Sequence, residues 1–129
     1  MTTWTDRTAA LLAAPGTDDA FVGAWTLFDR TAAWAVGPAA DQGDTLAALG
    51  AYNLAVEARE LLPEPTAVAV AVAGAPALGD GPALADLLDQ AQQRLSTIAD
   101  NGPAAGACEP AQASLLAARM ARAVRTASR

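Results

Sequence analysis

Asn53 and Glu57 lie one helical turn apart and Glu60 follows on the same side, so with the neighbouring Tyr52 they form the densest set of polar groups on an otherwise apolar segment. A polar patch inside an apolar pocket is the usual form of a small-molecule site. The structural alternative is an asparagine bonded across a helix bundle and two solvated glutamates near Arg59 or Arg94. What surrounds these groups is as informative as the groups themselves. The chain has no histidine and no lysine, and all eight basic residues are arginine. A Ser-His-Asp triad, a Cys-His pair, a histidine-ligated metal, Schiff-base chemistry and a Walker-type phosphate loop are therefore excluded. No cofactor and no metal site is expected, and a catalytic set is not evident.

The acidic pairs Glu57-x-x-Glu60 and Asp86-x-x-Asp89 resemble those of the all-α nucleotide pyrophosphohydrolases of the MazG type. The resemblance implies carboxylates on neighbouring helices holding Mg²⁺ against a triphosphate. It covers residues 57–89 only, and it departs at Ala83, where the family has a glutamate three residues before the aspartate of its second motif. Helical phase sets Asp86 and Asp89 opposite the leucines of their helix, whereas Glu57 and Glu60 fall near the apolar side of theirs.

Charge is distributed unevenly. Residues 1–109 carry four arginines and fourteen acids, net −10, and residues 110–129 carry four arginines and no acids, net +4. Arg119 and Arg122 belong to this basic strip, which suits a protein partner or the helix C-terminus better than nucleic acid. The acidic total, the lack of interleaved aromatics and the absence of a helix-turn-helix pattern all oppose nucleic-acid binding. Cys108, the single cysteine, has no basic neighbour to activate a thiolate and reads as inert in a reducing compartment.

These side chains must be positioned by helices. Of the 129 residues 36 are alanine, the best helix former, and prolines and glycines gather between periodic segments. This arginine and alanine bias resembles the coding habit of a GC-rich, actinobacterial-like genome and concerns origin rather than function. The pattern predicts an all-α fold, a compact four- or five-helix bundle forming a single domain over residues 1–129. Helices are expected over about 3–14, 18–36, 44–62 and 109–127, with a fourth that has Gly81-Pro82 at its start and Asn101-Gly102-Pro103 at its end. The Ala-Val alternation of residues 67–73 reads as a packed connector, a short helix or an exchanged strand. With no basic leader and no apolar run of ~20 residues, a cytoplasmic protein without membrane contact is expected.

Helical phase also predicts buried faces. Trp4, Thr8, Leu11 and Leu12 share one side of the first helix. In the second, Phe21, Trp25, Phe28, Ala32 and Val36 form the main stripe, leaving Leu27 and Trp34 on another side together with Gly23. Such a helix is either central in its bundle or shared with a partner. Leu27 and Trp34 are accordingly candidate interface residues for a homodimer, Trp34 as anchor, with intrachain cover as the competing explanation. In the third helix, Leu46, Leu49, Asn53, Val56 and Glu60 recur at alternating spacings of three and four, an apolar seam interrupted by two polar residues. The fourth helix buries Leu84, Leu87, Leu88, Ala91, Leu95 and Ile98, and the fifth Ala113, Leu116, Met120, Ala123 and Val124. The sequence thus predicts a non-catalytic interaction or small regulatory protein, with itself or another protein as partner. The alternative is a small-molecule-binding protein or Mg-dependent nucleotide hydrolase using an interior groove beside the third helix.

Overall fold

A computed structural model describes residues 4–37, 45–62, 81–101 and 108–127. Five helices account for almost all of them: α1 (Trp4–Ala13), α2 (Thr17–Ala35), α3 (Thr45–Glu60), α4 (Gly81–Asn101) and α5 (Cys108–Ala127), with no strand among the described residues. The all-α bundle predicted from sequence is the observed architecture. The connector reading of residues 65–79 lies outside the described residues.

The helix starts follow local chemistry. Asp6 lies in the first turn of α1, Asp18 and Asp19 in that of α2, and Glu109 in that of α5, where carboxylates complement the exposed N–H groups of a helix N-terminus. The α2 helix closes with Gly37 N–H donating to the Trp34 carbonyl at 3.1 Å.

Around the bundle, α2 packs on α1, α3 and α4, while α5 packs on α3 and α4. Helices α4 and α5 run antiparallel: Ser114 Oγ donates to the Gln92 carbonyl at 2.8 Å, and one end of the pair is closed by Arg125 on Asp89 and Asp86 at 2.6 and 3.2 Å. Arg94 ties α4 to the exit of α1 by donating to the carbonyls of Ala14 and Pro15. The leucine stripe of α4 is buried as its period predicts, except that Ile98 is half-buried; on α5 only Ala123 departs in the same way.

Two helices turn differently from the sequence prediction. On α2 the buried arc runs through Ala20, Ala24, Leu27, Phe28, Thr31, Trp34 and Ala35, while Phe21 and Trp25 are half-buried and Val36 is exposed. Because α2 has neighbours on three sides, its apolar arc is wider than a single stripe, as befits the central helix of a bundle. On α1, Leu11 is half-buried rather than buried. It packs beside Gly23, where an added Cβ would lie 2.9 Å from Leu11 Cβ and 3.2 Å from the Leu12 backbone nitrogen. The close approach of α1 to α2 therefore requires glycine at that position.

The larger departure is α3, whose buried face is Ala48, Ala51, Ala55 and Ala58, with Leu62 just beyond the helix. The seam of Leu46, Leu49, Asn53, Val56 and Glu60 points outward: Leu46 is 81% and Leu49 53% exposed, Asn53 and Glu60 are exposed, and Val56 is half-buried. Both seams have the same three-four spacing, so periodicity alone does not choose between them. Polarity does. Burying Leu46, Leu49 and Val56 gains roughly 1.5–3 kcal/mol each, but the same rotation buries the Asn53 amide and the Glu60 carboxylate, at a cost of several kcal/mol for the charge alone. The alanine seam carries no polar atom and lets α3 approach its neighbours closely.

Within this core, Thr8 and Thr31 satisfy their hydroxyls by donating to the Trp4 and Leu27 carbonyls one turn earlier, both at 2.8 Å. Thr26 is equally buried, yet its hydroxyl has no partner among the described residues. Replacing it with the near-isosteric valine removes an unsatisfied group, so Thr26→Val is expected to raise unfolding stability by about 1 kcal/mol. A urea midpoint that rises at unchanged m-value would bear this out, and a midpoint that falls would show that the hydroxyl is paired.

Candidate functional site

The four residues expected to line a groove beside the third helix do not share one buried surface among the described residues. Tyr52 is half-buried and packs against the core, whereas Asn53, Glu57 and Glu60 are exposed on the far side of α3. The cause is the rotation of α3 that buries alanine, which carries the polar groups out with Leu46 and Leu49. Glu60 borders a cleft shared with Trp25, Arg59 and Leu62.

The acidic pairs are likewise kept apart. Glu57 and Glu60 lie on α3 and Asp86 and Asp89 on α4, and these two helices are not major packing neighbours, since α5 lies against both. Arg125 engages Asp89 and Asp86, and its pKa is raised, first by the hydrogen bond to Asp89; desolvation opposes the rise, and the Asp89 charge, the hydrogen bond to Asp86 and the Asp86 charge add to it. No group of three or more potential metal-ligating side chains occurs among the described residues.

Leu27 and Trp34, the residues expected at an interface, are 0% and 5% exposed within the single chain. Both belong to the bundle core, and the width of the α2 contact arc supplies the second cover that a partner was expected to provide. Trp34 Nε1–H is buried and has no hydrogen-bond partner among the described residues. Arg119 and Arg122 are exposed on α5 as predicted.

Among the described residues the large exposed apolar side chains are Val36 just after α2 and three on α3 and α5, two helices that pack on each other. Leu46 and Leu49 project from α3, and Leu115 is 59% exposed on α5. Glu57 and Glu60 accompany the leucines on α3, and Arg119 and Arg122 accompany Leu115 on α5. None of these four charges has an ion pair among the described residues. Gly50 lies on α3 with open space among the described residues where a Cβ would stand. The signal missed in the sequence was present in it: Asn53 and Glu60 mark their seam as the solvent side.

No helix among the described residues is long and apolar enough to cross a membrane. Comparison with protein-family models, with curated proteins and with solved structures found no match.

Proposed function

We propose that the protein is a non-catalytic helical interaction module that self-associates through the outer faces of α3 and α5. The observation that carries this reading is the exposure of Leu46 and Leu49, at three-four spacing, on a helix whose other side is already anchored by alanine. Large apolar side chains grouped on one face lose water when a second surface covers them. A second copy of the chain is the occupant that the charges favour. The solvent side of α3 bears glutamates and that of α5 arginines, none with an ion pair among the described residues, so a twofold axis can set each against its complement.

The seam from Leu46 to Val56 is about 15 Å long at 1.5 Å per residue. An interface of this length lies below the ~1,200 Å² of a standard stable complex, which makes the dimer weak and dependent on concentration. Asn53 in the middle of the seam lowers its affinity further, as a polar residue does in a helix–helix seam, and restricts register in return.

Light scattering on a sizing column tests this reading. The wild type is expected to shift from monomer to dimer over a range of roughly 10–500 μM, and the double variant Leu46→Asp/Leu49→Asp is expected to remain monomeric with an unchanged helical spectrum. Monomeric wild type throughout, or a dimer unaffected by both aspartates, would refute it.

A further inference from the structure

The cleft bordered by Trp25, Arg59, Glu60 and Leu62 has a volume of about 440 Å³, within the range of small-molecule sites. Its arginine is held in place. Arg59 Nη1 donates to Asp29 Oδ1 at 2.7 Å, and the guanidinium carbon lies 5.8 Å from the centre of the Trp25 ring. Among the described residues, Nε and Nη2 of Arg59 have no hydrogen-bond partner, and the side chain is 30% exposed. An acid thus anchors one part of the guanidinium, an aromatic ring supports it, and the remaining N–H groups are available as a fork. That fork matches the two oxygens of a carboxylate, and its fixed orientation reduces the ordering cost of binding.

Apolar wall is supplied by half-buried Trp25 and buried Leu62. Charge narrows the choice among anions. Asp29 is paired with both Arg59 and Arg30, at 2.7 and 4.0 Å, whereas Glu60 borders the cleft with no ion pair among the described residues, so each added negative charge on a ligand meets its repulsion and a dianion fares worse than a monoanion. The geometry points to a binding site for a small monocarboxylate with a compact apolar body, its carboxylate on Arg59 and its body against Trp25 and Leu62. This site shares Glu60 with the face proposed for self-association but none of its leucines.

NMR titration of the full chain with benzoate, reading the Trp25 Nε1–H and Arg59 Nε–H signals, tests the assignment. Benzyl alcohol serves as the uncharged control and phenyl phosphate as the dianion. Benzoate is expected to produce saturable shifts with a Kd of roughly 1–10 mM, and both controls to bind at least about tenfold more weakly, as loss of the charged hydrogen bonds or a second like charge requires. Arg59→Lys, which keeps the charge but loses the fork, should weaken benzoate about tenfold. Glu60→Gln, a change at an exposed position that leaves the fold intact, should tighten it about two- to threefold at low salt. The same titration on Leu46→Asp/Leu49→Asp should give the same Kd whether or not the wild type dimerises, which separates this inference from the preceding one. Absence of saturation, a control that matches benzoate, unchanged affinity in Arg59→Lys, or unchanged or weaker binding in Glu60→Gln would overturn it.

Discussion

Ala55→Leu is expected to destabilise the protein by about 2–3 kcal/mol, while Leu49→Ala, at a position with a far larger side chain, should cost less than about 0.5 kcal/mol. Ala55 is fully buried on the face that α3 turns to the core. A leucine there adds three carbons where α3 lies close to its neighbours, and the added volume must push helices apart or force strained rotamers. Leu49 is 53% exposed and leaves no enclosed cavity when truncated. Urea unfolding at a concentration low enough to keep the chain monomeric separates the two effects. The opposite ranking would mean that the leucine seam faces the core.

Gly23→Val should be the most damaging single substitution on α2, at about 3 kcal/mol. The obstacle is the Leu11 Cβ and Leu12 nitrogen, atoms that move only with the α1 backbone. Gly23→Ala gains up to ~1 kcal/mol of helix propensity and still meets the same 2.9 Å contact. It is therefore expected to destabilise as well, by less than valine. Chemical denaturation measures both, and an alanine variant more stable than the wild type would show that α1 can yield without loss.

Helix positions were legible in the sequence because alanine-rich segments end at proline and glycine, and the observed limits fall within one or two residues of those expected. Facing was legible wherever one side was polar and the other held large aliphatics, as on α4, where Asp86, Gln90 and Gln93 oppose Leu84, Leu88 and Leu95. It was misread on α3 because weight was given to side-chain size. Alanine is small enough to count little in a hydrophobic stripe, yet four alanines free of polar atoms form the better core face when the larger seam includes Asn53 and Glu60. On α2, three packing neighbours widened the buried arc until it held Leu27 and Trp34, which a single-stripe reading assigned to a partner. Trp25 and Asp29 on α2 meet Arg59 on α3 across thirty or more residues of sequence, a distance over which local periodicity carries no information.

The central claim is that the outward seam of α3 is the surface the molecule uses to recognise its own kind. Isotope-filtered NOE spectroscopy on a mixture of labelled and unlabelled chains, at a concentration near 1 mM where a weak dimer is largely formed, addresses it most directly. Contacts between the methyl groups of Leu46, Leu49, Val56 or Leu115 in one chain and those in another are expected. Intermolecular contacts from a different surface, or none while the chain remains monomeric, would contradict it.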